Sequence, residues 1–372
     1  MNRRTVLVTG ATGFLGGAFL DRIVADPTED GPRYVLLARG VDRDAATSRI
    51  LARLSRFRPP EAARRLLDTC QVVCADLQKP ETLEQSVFDE ITHVVHLGAN
   101  TSFIAAQGVW ETNYRGTLAL ARRLMQAPRM ERFLYVGTAM ICGDAPANVV
   151  RESEFPAAHV KHLVEYTASK AAAEQALLRE FDSLPVVIAR PSIVVGHTQL
   201  GSGPSGSIFW VFRALDEVGL VSVDPTTTGI DVVPVDWVAQ GLEHLLWAPT
   251  LAHQIYHLSA GARSRTNLAQ LTHAFSTALG RVHQQERFVR ISSSEIRQHR
   301  ARLMATFGRV DGRRMELALS LYLHFCELDV TFDNARILAE GVPNPPPLTE
   351  YLATCLNRPG GVGIIEQAAD EL

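Results

Sequence analysis

Thr9-Gly10-Ala11-Thr12-Gly13-Phe14-Leu15-Gly16 follows directly on the apolar run Val6-Leu7-Val8 and leads into a helix-like stretch. A strand that turns at once into a helix, with a diphosphate over the helix N-terminus, needs backbone without Cβ at three places. These are the turn, the phosphate contact and the point where the helix packs on the strand. Gly10, Gly13 and Gly16 occupy them, and Thr12, Phe14 and Leu15 fill the turn between and are expected to border the same dinucleotide. A Gly-rich turn that binds no nucleotide is the competing reading. The preceding buried-type strand and the following helix weigh against it.

Outward from this turn, apolar runs at residues 6–8, 34–37, 71–74, 93–97, 133–136 and 186–189 alternate with helix-period segments. Such alternation predicts successive βαβ units and an α/β fold of the Rossmann type, a doubly wound parallel sheet. Residues 1–200 are expected to form the dinucleotide-binding domain, with 230–260 returning to it. Residues 201–229 and 261–372 would make a smaller, mainly helical substrate-binding portion. The segment 45–68, arginine-rich and broken at Pro59-Pro60, predicts two surface helices that serve as a solvated covering layer. Gly201-Ser202-Gly203-Pro204-Ser205-Gly206 reads as a mobile lid beyond the sixth strand. Asp236 is read as a helix cap, as are Asn267, Ser292 and Ser293, and the tail from Pro359 as loose.

Among 372 residues, 46% are hydrophobic and 21% charged, and the net charge of -3 argues against a nucleic-acid binder. No apolar run approaches the ~18 residues of a membrane span, so a soluble cytoplasmic protein is expected. Five scattered cysteines fit free thiols in a reducing compartment, and no His or Cys spacing suggests a metal. Of the 37 basic residues 34 are arginine, so each of Lys79, Lys161 and Lys170 is informative.

Lys170 closes the run Tyr166-Thr167-Ala168-Ser169-Lys170, one helical turn after Tyr166, so both side chains project from one face. An ammonium beside a phenol is expected to lower its pKa from ~10 toward the working range of a proton donor in carbonyl reduction. Upstream, Thr138 ends the fifth strand in Tyr135-Val136-Gly137-Thr138, where a hydroxyl can meet a substrate carbonyl oxygen. At the end of the second strand, Leu36-Leu37-Ala38 is followed by Arg39, with Asp42 further on. A cation there accommodates a 2′-phosphate, so NADPH is expected rather than NADH, with Arg43 as a second contact.

Glycine turn, strand-end Thr138 and the Tyr166/Lys170 helix, in this order, resemble the extended branch of the short-chain dehydrogenase/reductase superfamily. His96-Leu97-Gly98-Ala99 is similar to the family's fourth-strand cofactor motif, and Asn113-Tyr114-Arg115-Gly116-Thr117 to its Asn-x-x-Gly-Thr motif. Arg190-Pro191-Ser192-Ile193-Val194 and Asp231-Val232-Val233-Pro234-Val235-Asp236 most resemble fatty acyl-CoA reductases and the thioester reductase domains that release carrier-bound acyl chains as aldehydes. Gly98, Gly137 and Met140 depart from that subgroup, where alanine, serine and an aromatic are usual.

The resemblance implies Tyr166 as general acid, Lys170 as its partner and ribose ligand, and Thr138 as donor to the substrate oxygen. Leu97, Gly98, Ala99 and Pro191 would line the cofactor, and Asp76-Leu77 would meet the adenine edge; a helix N-cap is the other reading of Asp76. Asn113 either supports a proton relay or holds its helix in register. Cys142 is either a nucleophile that takes the acyl group or a small buried thiol. Arginines between 287 and 314 either dock an acidic carrier protein or a CoA phosphate, or form a solvated face.

The implied activity is NADPH-dependent reduction of an acyl thioester, on CoA or an acyl carrier protein, to an aldehyde and, after a second hydride, an alcohol. A dehydrogenase, ketoreductase or epimerase acting on a sterol-like, flavonoid-like or sugar-nucleotide carbonyl is the alternative enzyme, since the same three residues would serve it. A dinucleotide-binding sensor without turnover is the alternative outside enzymes.

Overall fold

The computed structural model describes residues 3–24, 31–79, 83–102, 107–153, 155–156, 160–205, 207–222, 228–282, 284, 287–357 and 363–369. Its centre is a seven-stranded sheet: β1 (Thr5–Thr9), β2 (Arg33–Ala38), β3 (Gln71–Cys74), β4 (His93–His96), β5 (Arg132–Val136), β6 (Val186–Pro191) and β7 (Ile255–Leu258). All neighbours run parallel, in the order β3-β2-β1-β4-β5-β6-β7. The chain thus winds outward in both directions from the gap between β1 and β4, and in such sheets the ligand crevice opens there, beyond the carboxyl ends of the strands.

Alternation along the strands builds two cores. Val6, Val8, Leu36, Val72, Val95, Leu134 and Ala189 face one side, under the helices Phe14–Ile23, Arg43–Leu54 and Val235–Trp247. Leu7, Val35, Leu37, Val94, Phe133 and Ile188 face the other, under Thr117–Leu124 and Glu165–Glu180. Both faces are apolar because both are covered, which is why the strands read as nearly continuous hydrophobic runs.

Apart from the sheet, the helices Phe209–Val218, Leu268–Ala278, Arg300–Phe307, Arg309–Glu327 and Leu348–Leu356 carry two further cores, one around Trp210, Leu319 and Leu323, the other around Phe209, Phe275 and Leu352. This part is bound to the sheet by buried polar groups. Asp231 accepts the Ala260 and Phe332 amides, and Glu152 accepts those of His257 and Arg336. Most buried of these is the pair of Arg190 on β6 with Glu174 on the helix Glu165–Glu180, both essentially without solvent exposure.

Several expectations change. The two surface helices form as predicted, at Arg43–Leu54 and Pro60–Asp68, but the first does more than cover the sheet. Asp236 lies inside the first turn of its helix, whose N-cap is Pro234, and binds the Thr198 amide and hydroxyl instead. Asn267 and Ser292 do cap, each in a reciprocal box with Gln270 or Glu295, whereas the Ser293 hydroxyl is spent on Glu327. Residues 201–205 are pinned rather than free: Ser202 is buried and donates to Cys355 O, and Pro204 O accepts from Arg53. Gly206, the last residue of that loop, lies outside the described residues. Of the tail expected to be loose, residues 359–362 and 370–372 lie outside the described residues, but Ile364–Ala369 forms a helix, and the Gln367 side chain accepts from Arg213.

Glu174→Ala would leave Arg190 buried without its carboxylate, and we expect unfolding free energy to fall by about 3–5 kcal/mol. Arg22→Ala, which removes a partly exposed bridge to Glu243, should cost less than about 1 kcal/mol. Urea unfolding followed by circular dichroism reads both; similarly small losses would mean that Arg190 finds other acceptors.

Candidate active site

At the β1–β4 gap lies a cleft of about 590 Å³. The β1 turn forms its floor because nothing larger fits. Gly10 has φ +75°, and a Cβ on it would stand 2.6 Å from the Leu97 carbonyl carbon. A Cβ on Gly16 would come within 2.0 Å of Gly10 O. Side-chain-free backbone at the start of the helix Phe14–Ile23 is thereby presented to the cleft, the cradle that a dinucleotide diphosphate fits. Thr12, Gly13, Phe14 and Leu15 line it as well.

Behind the turn the end of β4 is held by a polar chain. Thr9 Oγ1 accepts the Gly98 amide, and His96 bridges Thr9 (2.7 Å) and Thr117 (2.9 Å). Burial pushes the His96 imidazole down to about 3, so it is neutral and structural. Leu97, Gly98 and Ala99 then border the cleft directly against the glycine turn, with Asp76 and Leu77 beside them. Asp76 also accepts the Gln78 amide, so it stabilises a local turn while lining the cleft.

Thr138, Tyr166, Lys170 and Pro191 meet on the other flank. Thr138 Oγ1 accepts the Met140 amide at 3.2 Å and lies 3.5 Å from Pro191 O. Lys170, although it lines the cleft, turns its Nζ to Val136 O at 2.7 Å and over the Tyr135 ring at 4.3 Å. Burial pushes its ammonium down to about 7, against the pull of Glu174 one turn further on. The expected lowering of Tyr166 does not occur. Burial pushes its phenol up to about 12. A phenol in that state keeps its proton at neutral pH and can serve as a donor.

Asn113 is buried behind this flank in a π-helical turn, Glu111–Gly116. It exchanges two hydrogen bonds with the Asn100 backbone and donates to Ser169, whose hydroxyl donates to Tyr166 O. In this structure it locks the turn to the helix that carries Tyr166. Cys142 is not among the lining residues, and burial pushes its thiol up to about 12, which argues against a nucleophile.

Sequence reasoning missed part of the wall. Arg53 and Arg56 line the cleft beside Arg39, while Arg43 does not. Arg53 donates to Thr12 O and Pro204 O, tying the glycine turn to the 201–205 loop. Met140, Ile193, Val211, Phe212, Tyr322 and Phe325 give the cleft an apolar stretch of wall, next to Ser192, Ser205 and Ser207. Of the distal arginines, Arg287 donates to Asp216 O and Arg300 is paired with Glu316.

This geometry agrees with what the chain is similar to. Residues 8–242 match the model of the male sterility protein family, an NAD-binding family, and the chain belongs to it. Its class is that of the extended short-chain dehydrogenase/reductase oxidoreductases. A Drosophila melanogaster protein assigned by its name to the fatty acyl-CoA reductases is 23% identical over 310 residues, 72% of this chain and 57% of that one. A nonribosomal peptide synthetase of Aspergillus flavus is 28% identical over 269 residues, 68% of this chain and 26% of the synthetase. The chain thus spans only part of these relatives. The terminal R domain of the myxalamid PKS-NRPS pathway shares the fold, with TM-score 0.79, 22% identity, and coverage of 96% of this chain and 90% of that domain. So does UDP-glucuronic acid 4-epimerase from Bacillus cereus in complex with NAD, with TM-score 0.64, 15% identity, and coverage of 99% and 98%. Among the described residues, no helix is long and apolar enough to cross a membrane.

Gly16→Ala must push the Gly10 carbonyl out of place. Affinity for NAD(P), measured by fluorescence titration, is expected to fall by a factor on the order of ten or more; an unchanged affinity would show that the turn does not touch the dinucleotide.

Proposed function

We propose that this chain is an NADPH-dependent reductase of an acyl thioester, on CoA or a carrier protein, that yields an aldehyde and, where the aldehyde is retained, an alcohol. The observation that carries the reading is the meeting, in one cleft, of the glycine cradle, the Thr138, Tyr166 and Lys170 flank and an apolar stretch of wall. Residues 201–229 and 261–372 would supply the substrate side. Relatives named as acyl-CoA reductase and peptide synthetase support a thioester. Likeness in fold to a thiolation-reductase di-domain of an archaeal non-ribosomal peptide synthetase supports a carrier-tethered one.

Reduced nicotinamide, when bound, supplies the hydride. Thr138 Oγ1 and the Tyr166 hydroxyl, at the carboxyl end of the sheet, donate to the carbonyl oxygen as negative charge develops on it. Tyr166 then gives up the proton that burial holds on it, and Lys170 offsets the phenolate charge left behind. Collapse of the resulting hemithioacetal releases aldehyde and thiol. The apolar stretch from Val211 to Phe325 suits an acyl chain better than the hydroxyls of a sugar nucleotide.

Arg39, Arg53 and Arg56 all line the cleft, which supplies cations for a 2′-phosphate beyond the end of β2. Asp42, the acidic residue nearest the end of β2, is occupied in capping the helix Arg43–Leu54 through the Ala45 amide. That arrangement favours NADPH over NADH.

Tyr166→Phe is expected to lower kcat by a factor on the order of 10²–10⁴ while leaving NADPH affinity nearly intact; unchanged turnover would remove Tyr166 from the acid role. Arg39→Asp should lower the NADPH over NADH ratio of kcat/KM by about tenfold or more. A variant that keeps its preference would assign the phosphate to Arg53 and Arg56. NADPH consumption across acyl-CoAs, carrier-bound acyls, aldehydes and ketones, with product identification, tests the activity itself.

A further inference from the structure

The apolar end of the cleft stops at two side chains that also face a second, much smaller void. Ile208, Val211 and Phe212 bring one stripe of the helix Phe209–Val218 into the cleft, and Phe212, Leu215 and Asp216 continue that stripe, one turn on, into the void. Cys326, near the end of the helix Arg309–Glu327, likewise belongs to both. The void measures about 20 Å³, room for a single water-sized group. Its walls are otherwise mostly leucine and phenylalanine, and its far end is closed by Asp216, held by Arg281 and Arg287. Phe212 and Cys326 are themselves 3% and 7% exposed, packed between the two spaces.

We propose that Phe212 and Cys326 form the floor of the acyl site and set the longest linear chain that the protein accepts. This rests on the thioester reading above. A chain whose carbonyl lies at Thr138 and Tyr166 runs along Val211 and Tyr322 and ends against the Phe212 ring. The void behind is apolar enough to receive further methylenes but too small to do so while the ring stands. Chains up to the floor gain affinity with each methylene, about four-fold per carbon, and longer ones meet an incompressible wall and lose it.

The test uses a series of linear S-acyl pantetheines of increasing length. Dissociation constants are measured without cofactor by calorimetry, and kcat/KM with NADPH. Phe212→Ala joins the two spaces, and the preferred length should move to chains about two to four methylenes longer in both measurements. Cys326→Met adds bulk to the floor on its cleft side and should move it to shorter chains. This second variant adds volume rather than leaving a cavity, so it decides the matter if Phe212→Ala does not fold. If the unaltered protein binds and reduces these thioesters but neither variant shifts the preferred length, the floor assignment alone falls. If it neither binds nor reduces any of them, the thioester reading falls and takes the floor with it.

Discussion

Arg190 stands where three parts of the chain meet, and its guanidinium has no exposure to water. A charge in that position is tolerable only if every donor finds an acceptor, and removal of one partner costs far more than the intact pair contributes. Glu174 receives two of its nitrogens, and the third lies near Glu152 O and His257. The carboxylate of Glu152 in turn accepts amides from β7 and from the segment that follows β7 in space, at Arg336. One arrangement satisfies all of these groups, so the helix Glu165–Glu180, the strands β6 and β7, and residues 331–336 are fixed with respect to one another.

The cleft inherits that fixity. Lys170 precedes Glu174 by one helical turn, and Pro191 follows Arg190 directly, so both sides of the flank at Thr138 take their position from one ion pair. Gly137 belongs to the same contact, since a Cβ there would stand 3.2 Å from a Glu174 oxygen. Electrostatics follow from the same packing. Burial lowers Lys170 and raises Tyr166, and Glu174 supplies the nearest opposing charge to the lysine. The phenol therefore begins with its proton, which suits reduction of a carbonyl better than oxidation of an alcohol.

Legibility from the sequence follows the kind of constraint at work. Gly10 and Gly16 were readable because backbone contact with no space for Cβ admits one residue type, and Gly13 because its spacing completes the turn. Six strands were readable because burial on both faces demands unbroken apolar runs. The strand β7 was not read, since Ile255–Leu258 returns to the sheet after the helix Val235–Trp247, outside the run of alternating segments, and burial pushes its His257 down to about 3, a neutral core group. Arg53 and Arg56 escaped notice because helical period marks a residue as exposed without saying whether solvent or a cleft lies opposite. The spacing of Tyr166 and Lys170 gave a common face but not a rotamer, and the ammonium turned toward Val136 O. The apolar floor depends on two helices far apart in sequence, which no local pattern connects.

The position of β7 has a consequence for how the molecule comes into being. Until residues 255–258 leave the ribosome, the outer edge of β6 presents an unpaired row of backbone donors and acceptors, and Arg190 lacks His257 beside it. The strands that surround the glycine turn are all synthesised earlier and can pair among themselves. Assembly should therefore proceed from the dinucleotide half outward, with the half that surrounds Tyr322 and Phe212 completed last, through contacts of long sequence separation that form slowly. In that interval the nascent chain carries an unpaired β6 edge, open to pairing with another chain until β7 covers it.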